Sequence, residues 1–270
     1  MQRISLPNVE LAYVDRGVGG PVVLLHGFPL DHTMWNAQID ALAVQCRVIA
    51  PDLRGFGQSS LGDATPTSGM PLEQYADDVA AMLDAIGVNE PIVLAGFSMG
   101  GYIAWQFVRK YGNRLCALIQ CDTRAAADTD EARANRLKMA ERIHEWGAAR
   151  VAETMGPKLF AAGKFEENPE IVRELRRVIS ETSPSAIAVA QRAMAARPDM
   201  SHLLPNIEVP TLVIAGVEDA LIPAKEMQQI AETIPHGRYA EIAGAGHMAT
   251  IENPEAVNAA ITAFIAKLNP

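Results

Sequence analysis

Ile92-Val93-Leu94-Ala95-Gly96-Phe97-Ser98-Met99-Gly100-Gly101-Tyr102-Ile103 is the stretch that decides the fold. An apolar, strand-like run enters Gly-x-Ser-x-Gly, and a helical pattern follows. A strand that turns directly into a helix requires small residues beside the serine, because the two backbone segments approach closely there. Such a turn exposes the serine hydroxyl above the sheet, next to a helix N-terminus that favours negative charge. The pattern predicts Ser98 as a nucleophile.

Short apolar runs with β-branched residues recur along the chain, and helical patterns lie between most of them. Several of these runs are almost continuously apolar, which indicates strands that are covered on both faces. The alternation predicts an α/β fold with a mostly parallel sheet flanked by helices. The predicted strands are 10–14, 21–25, 47–50, 91–95, 115–120, 211–215 and 239–242, and the clearest helices are 72–86, 99–111, 224–233 and 254–268.

The alternation stops between residues 123 and 206, where helical patterns occur without a convincing strand. The clearest helices there are 131–146, 169–179 and 186–196, the last preceded by a Ser-Pro start. We therefore expect 123–206 to be a helical lid inserted before the last two strands, over a core formed by 1–122 and 207–270. Methionines in the lid are expected to fill its core: Met139, Met155 and Met194.

Length and composition indicate an ordinary globular protein. The chain has 270 residues, of which 49% are hydrophobic and 20% charged, so extensive disorder is not expected. The net charge of −9 argues against nucleic acid as a partner. We find no signal-peptide pattern at the N-terminus and no apolar run of membrane-spanning length, and we expect a cytoplasmic protein that does not bind membranes.

The three cysteines, Cys46, Cys116 and Cys121, are odd in number and fall in or beside predicted strands. This arrangement does not favour a disulfide framework or a metal site, and we expect buried free thiols. No cluster of histidines and carboxylates has metal-ligand spacing either. We expect neither a metal nor another cofactor.

The sequence resembles the α/β-hydrolase superfamily through nearly the whole chain outside 123–206. The resemblance implies an eight-stranded α/β-hydrolase fold in which the nucleophile, an acid and a histidine follow one another in the chain. It rests on five segments: His26-Gly27-Phe28-Pro29, Asp52-Leu53-Arg54-Gly55-Phe56-Gly57-Gln58-Ser59, Gly96-Phe97-Ser98-Met99-Gly100, Gly216-Val217-Glu218-Asp219 and Gly246-His247.

A serine needs a base that accepts its proton, and the base needs an orienting carboxylate. Of six histidines, His247 follows the last predicted strand and fits the superfamily's chain order. His26 is expected to support its own turn. The remaining histidines are expected on the surface or in the lid: His32, His144, His202 and His236.

Three acidic residues compete to orient His247. Asp219 follows the predicted strand 211–215 in a loop that resembles the superfamily's usual acid loop. Glu218 is a weaker candidate. Asp122 ends the strand 115–120, from which a minority of the superfamily supplies the acid, and its alternative role is that of a turn or capping residue.

Backbone N–H groups are expected to form the oxyanion hole that acyl transfer requires. The resemblance assigns them to Met99, directly after the nucleophile, and to Phe28, in the turn after strand 21–25. Both residues are also expected to bind substrate, and Pro29 would stiffen the turn. Asp52 and Arg54 are interpreted as an orienting salt bridge near the site.

Serine at position 98 argues against the dehalogenase and epoxide hydrolase branches, whose nucleophile is aspartate. Phe28-Pro29 and Gly96-Phe97-Ser98-Met99-Gly100-Gly101 look more like the cofactor-free haloperoxidases, arylesterases and enol-lactonases. The resemblance thus implies a carboxylic ester hydrolase for small esters or lactones. The alternatives are a haloperoxidase or perhydrolase that uses the same triad, and a small-molecule receptor that retains it.

Overall fold

The computed structural model describes residues 1–67 and 69–268, without the side chain of Glu166. These residues form one eight-stranded sheet in the order β1-β2-β4-β3-β5-β6-β7-β8. Strands β3 to β8 run parallel, whereas β2 pairs antiparallel with both β1 and β4. The mostly parallel α/β-hydrolase fold is therefore confirmed. The strands are β1 Gln2–Leu6, β2 Val9–Arg16, β3 Pro21–Leu25, β4 Arg47–Pro51, β5 Ile92–Phe97, β6 Leu115–Cys121, β7 Thr211–Gly216 and β8 Gly237–Ile242.

Burial explains which strands the sequence reveals. Every residue of β3, β5 and β7 is buried, because helices cover both faces, and an apolar run results. Strand β1 lies at the edge of the sheet, and three of its five residues are exposed. Its mixed sequence therefore shows no such run, and the sequence analysis missed it.

Helices connect the strands and cover the sheet. α2 packs against α3, and α1 packs against α11. The helices are α1 Asn36–Leu42, α2 Leu72–Ala85, α3 Met99–Tyr111, α4 Asp130–Trp146, α5 Ala148–Met155, α6 Lys164–Glu167, α7 Pro169–Glu181, α8 Pro184–Ala195, α9 Ala224–Thr233, α10 Ala249–Glu252 and α11 Pro254–Ile265. In the part of the chain that the structure describes, none is long and apolar enough to cross a bilayer.

Helices α4 to α8 all lie between β6 and β7. In α7 the buried residues are Val172, Leu175, Val178 and Ile179, a helical spacing that gives the helix one apolar face. α4 packs against α8, and α5 against α7. The insertion thus contains the three helices predicted from the sequence together with two shorter ones, α5 and α6.

The predicted salt bridge between Asp52 and Arg54 is wrong. Nε and Nη2 of Arg54 donate to the two carboxylate oxygens of Asp78 on α2, each at 2.7 Å. Asp52 instead accepts from Nδ1 of His32 at 2.6 Å, so His32 is not a simple surface residue. Asp78 reaches Arg54 only through tertiary packing, and no local feature of the sequence indicates this pairing.

Two of the three cysteines are buried as predicted, namely Cys46 and Cys121, and all three are free. Cys116 is exposed, contrary to the prediction. It is the second residue of β6 and lines an open cleft together with Cys46. The helices therefore leave this end of the strand uncovered.

We expect Asp78→Ala to lower the free energy of unfolding by about 3 kcal/mol, because it leaves a buried guanidinium unpaired. The side chains of Arg54 and Asp78 are only 3% and 7% exposed. Asp84→Ala on the same helix is the matched control. Asp84 pairs with Arg114 but is 68% exposed, so its loss should cost less than about 1 kcal/mol. Urea denaturation measures both, and equal losses would contradict the expectation.

Candidate active site

The turn between β5 and α3 holds Ser98 in a rare backbone conformation, with φ 50° and ψ −112°. Two glycines allow this turn. A Cβ on Gly96 would lie 2.5 Å from the carbonyl oxygen of Gly100, and a Cβ on Gly100 would collide with the carbonyl oxygen of Leu25. The backbone of α3 thus contacts the ends of β5 and β3 directly. Strain of this kind is often found at functional sites.

Ser98, His247 and Asp219 form a continuous hydrogen-bonded chain. Oγ of Ser98 lies 3.0 Å from Nε2 of His247, and Nδ1 of His247 lies 2.7 Å from Oδ2 of Asp219. His247 and Asp219 are both buried. The carboxylate selects the tautomer with the proton on Nδ1, so that Nε2 can accept the serine proton.

The acid loop fixes Asp219 through backbone hydrogen bonds. Oδ1 accepts from the N–H groups of Leu221 and Ile222, at 2.7 and 3.0 Å, which leaves Oδ2 for His247. Glu218, the weaker candidate, is exposed. Its backbone N–H donates to the carbonyl of Ala245, which helps to join the acid loop to the histidine loop.

Asp122 also directly follows the carboxyl end of a strand, β6, but its hydrogen-bond partners differ from those of Asp219. Its Oδ1 accepts from the N–H of Gly216 at 2.7 Å, and its fully buried Oδ2 has no hydrogen-bond partner among the described residues. Burial, reinforced by the neighbouring Asp219 carboxylate, raises the pKa of Asp122 well above its usual range. A buried carboxyl group with a raised pKa that ties β6 to β7 suits a structural role better than the orientation of a histidine.

Glu252 supports the histidine loop, and the sequence analysis missed it. Its carboxylate accepts from the N–H groups of Gly246 and Ala161, each at 2.8 Å. It therefore joins the turn before His247 to the helical insertion. Burial raises the pKa of Glu252 against the effect of these donors. Glu252 is only five residues after His247, and this proximity could have marked it in the sequence as a neighbour of the histidine loop. Its contact with Ala161, in contrast, depends on the fold.

Phe28 and Met99 have the backbone groups expected of an oxyanion hole. Among the described residues, neither N–H donates a hydrogen bond to another protein group. The Phe28-Pro29 peptide bond is cis, and the N–H of Leu30 closes the turn on the carbonyl of Gly27 at 3.0 Å. Both amides are thus available to a ligand.

His26 supports the turn that contains Phe28 through two hydrogen bonds, as the sequence predicted. Its Nδ1 donates to the carbonyl of Gly27 at 2.9 Å, and its Nε2 accepts from the N–H of Leu53 at 2.9 Å. Burial lowers the pKa of His26, which favours the neutral ring that these two bonds require. His26 therefore links the turn that contains Phe28 to the loop that follows β4.

A cavity of about 320 Å³ opens over Ser98 and His247. The core contributes Phe28 to its wall, whereas Met139, Met155 and Met194 come from the insertion. These methionines pack in or against the core, as predicted, and they also line the cavity. The remaining lining residues are Tyr102, Arg124, Asp128, Ala132, Asn135, Arg136, Lys158, Gln191, Leu221 and Ile222.

Met99 does not line this cavity, although substrate contact was expected of it. Its side chain is fully buried in the core, because it begins α3 where the helix packs against the sheet. Its part in the site is therefore limited to its backbone N–H. Phe28, in contrast, is among the residues that line the cavity.

One group of side chains has the spacing of metal ligands, contrary to the sequence analysis. Asp31, His32 and Asp52 each bring a ligand atom within 4.8 Å of the others. Asp52 directly follows β4, about twenty residues after Asp31 and His32, so the sequence spacing does not reveal this group. Its oxygens already accept from His32 and from the N–H of Gln58, and these bonds account for the arrangement.

Comparison with known proteins agrees with this fold. The family model of the alpha/beta hydrolase fold matches residues 20–254. A 3-oxoadipate enol-lactonase of Acinetobacter baylyi is 31% identical over 98% of this chain and 97% of its own. Among solved structures, a thermophilic esterase from Thermogutta terrifontis with malate bound is 43% identical, with a TM-score of 0.95 and all of both chains covered. A bromoperoxidase from Bacillus anthracis is 25% identical over 96% of each chain, with a TM-score of 0.83.

The chain belongs to the alpha/beta hydrolase fold family, and it is a hydrolase of that fold. Its resemblance to the group of haloperoxidases, esterases and enol-lactonases is also confirmed.

Gly100→Ala should reduce activity on any substrate that depends on Ser98 by about 100-fold or more. The added methyl group would collide with the Leu25 and His26 carbonyls, so the turn that exposes Ser98 has to move, at a typical cost of about 1–3 kcal/mol in stability. Gly112→Ala, at the end of the same helix with no atom within 4 Å of its Cβ, is the control. Hydrolysis rates and thermal unfolding of both variants measure the effect, and unchanged activity in Gly100→Ala would contradict it.

Proposed function

We propose that this protein is a serine esterase that hydrolyses small carboxylic esters or lactones through an acyl-enzyme. The observation that carries the proposal is the hydrogen-bonded chain from Ser98 through His247 to Asp219. That chain ends in a cavity with two unpaired amides nearby, those of Phe28 and Met99. Serine, base, acid and oxyanion donors are the parts that acyl transfer requires.

In the first half of the proposed reaction, Oγ of Ser98 attacks the ester carbonyl and Nε2 of His247 accepts its proton. The Asp219 carboxylate stabilises the imidazolium that forms. The Phe28 and Met99 amides bind the tetrahedral oxyanion, and each such donor typically contributes about 3 kcal/mol. His247 then protonates the leaving alkoxide, and the acyl group remains on Ser98.

In the second half, His247 takes a proton from water, which attacks the acyl-enzyme. The same two amides bind the second oxyanion. Collapse of this intermediate breaks the bond to Oγ, and His247 returns the proton to Ser98. A lactone would follow the same course, with its alcohol and acid products remaining one molecule.

We further propose that residues 123–206 act as the lid of a core formed by 1–122 and 207–270. The cavity over Ser98 has walls from both parts, with Met139 and Met194 from the insertion and Phe28 and His247 from the core. Glu252 holds the two parts together through Ala161. The lid would therefore determine the size and polarity of the substrate.

The names of the relatives support ester and lactone chemistry, since an esterase and an enol-lactonase are among them. The similarity to a bromoperoxidase favours a second activity of the same site. Hydrogen peroxide would replace water and attack the acyl-enzyme, which gives a peracid and free Ser98. The peracid would then oxidise halide in solution.

We expect Ser98→Ala to abolish hydrolysis of p-nitrophenyl acetate and p-nitrophenyl butyrate. Asp219→Asn should lower kcat by about 10⁴-fold, as the equivalent change does in a serine protease, because the amide favours the wrong tautomer of His247. Asp122→Asn is the matched control, since it removes a carboxyl group from the adjoining strand end. It should change kcat by less than about ten-fold.

Steady-state kinetics and burst amplitudes distinguish the outcomes. Sustained turnover that requires Ser98 supports the esterase. A burst followed by negligible turnover would indicate a receptor that retains the triad. A larger decrease in kcat in Asp122→Asn than in Asp219→Asn would indicate that Asp122, at the end of β6, is the acid that orients His247.

Hydrolysis should survive dialysis against EDTA, because each proposed step uses only side chains and backbone amides. Rates measured before and after dialysis, with and without added Zn²⁺ or Mg²⁺, test this expectation. A loss that the metal restores would contradict the proposed mechanism.

A further inference from the structure

The wall of the cavity over Ser98 carries more positive than negative charge. Arg124, Arg136 and Lys158 all line it, whereas Asp128 is the only carboxylate that does so among the described residues. The chain as a whole has a net charge of −9. This local excess of cations therefore runs against the overall charge and does not reflect a generally basic surface.

Asp128 does not neutralise these cations, because it is shared between two arginines. Its carboxylate pairs with Nε of Arg136 at 2.6 Å and with Nη1 of Arg197 at 2.7 Å. Burial favours the neutral acid, but the two arginines outweigh it and lower the pKa of Asp128. One negative charge thus faces two positive charges. Arg197 is buried and does not line the cavity, so Arg136 is the arginine of this pair that does.

Arg136 retains donors that the protein does not fully use. Its Nη1 has only long contacts, at 3.4 Å each, to Oε1 of Gln191 and Sδ of Met194. Within residues 1–67 and 69–268, its Nη2 donates no hydrogen bond. A guanidinium that is held by its Nε, with weakly bound Nη1 and an unused Nη2, is suited to bind a planar anion.

The other two cations are also incompletely paired. Arg124 contacts the carbonyl of Leu221 and the carboxylate of Glu226 at 3.1 and 3.3 Å, but its buried Nε has no partner among the described residues. Lys158 is exposed at the rim, and no ion pair of the described part of the chain includes it.

We infer that the substrate carries a carboxylate beside its ester or lactone group, and that Arg136 binds this carboxylate with help from Arg124 and Lys158. The inference rests on the proposed esterase function and names its substrate class. The apolar wall formed by Phe28, Met139 and Met155 would hold the short carbon chain between the two groups. A cavity of about 320 Å³ is at the small end for ligand sites, which fits a short acid ester.

Pairs of esters that differ only in charge test the inference. Monoethyl succinate and ethyl succinamate share one shape and place a carboxylate or a carboxamide on the acyl side. O-acetylglycolate and O-acetylglycolamide do the same on the alcohol side. We expect kcat/KM to favour the carboxylate of at least one pair by about ten- to 100-fold, the range of a charge-assisted hydrogen bond. The preference should decrease with added salt.

Arg136→Gln should reduce the carboxylate-to-carboxamide ratio of kcat/KM by about ten-fold or more. Lys158→Gln, at an exposed position where misfolding is not expected, should reduce it by a smaller factor. Arg133→Gln is the matched control, because Arg133 is exposed on the same helix and does not line the cavity. It removes the same charge and should leave the ratio unchanged.

Calorimetric binding of succinate and succinamide to Ser98→Ala separates this inference from the proposed function. If neutral and anionic esters are hydrolysed equally and succinate binds no better than succinamide, the anion site is wrong while the esterase stands. If no ester is hydrolysed but succinate binds and loses affinity in Ser98→Ala/Arg136→Gln, the anion site stands and the esterase is wrong. A ratio that Arg133→Gln lowers as much as Arg136→Gln would also overturn the anion site.

Discussion

The close contact between the start of α3 and the ends of β3 and β5 is the constraint on which the site depends. Gly100 lies against the carbonyl oxygens of Leu25 and His26, and Gly96 lies against Gly100. No side chain fits between these backbone segments. This contact forces Ser98 into positive φ and brings it beside the turn that contains Phe28. The proposed nucleophile and the two amides proposed for the oxyanion hole therefore depend on the same backbone contact.

Parallel pairing of the strands completes the site. Because β5, β6 and β7 run in one direction, Ser98, Asp122 and Asp219 all follow the carboxyl ends of strands at one edge of the sheet. Asp219 and Asp122 differ in the hydrogen-bond donors that surround their carboxylates. Asp219 accepts two loop amides with one oxygen and His247 with the other. Asp122 accepts one amide, and burial beside Asp219 raises its pKa.

The insertion between β6 and β7 gives the cavity a character that the core alone does not provide. It brings three methionines and the cations Arg124, Arg136 and Lys158 to the wall of the cavity over Ser98. In the proposed reaction, the core would supply chemistry that serves many acyl substrates, whereas these side chains would favour particular ones. Glu252 connects the two, because it holds the turn before His247 and the insertion at once.

The sequence by itself determined the strand-to-helix turn at Ser98 and the buried parallel strands, since these follow from local backbone geometry and short apolar runs. His247 and Asp219, which the structure brings to Ser98, were expected from the resemblance to the α/β-hydrolase superfamily, and the structure chose Asp219 over Asp122 and Glu218 as the partner of His247. The sequence analysis missed β1, whose exposed residues form no such run. Only the tertiary structure decided the pairing of Arg54 with Asp78, the exposure of Cys116 and the charge of the cavity wall. Each depends on side chains distant in the chain that meet through packing, and no periodicity of the sequence records such contacts.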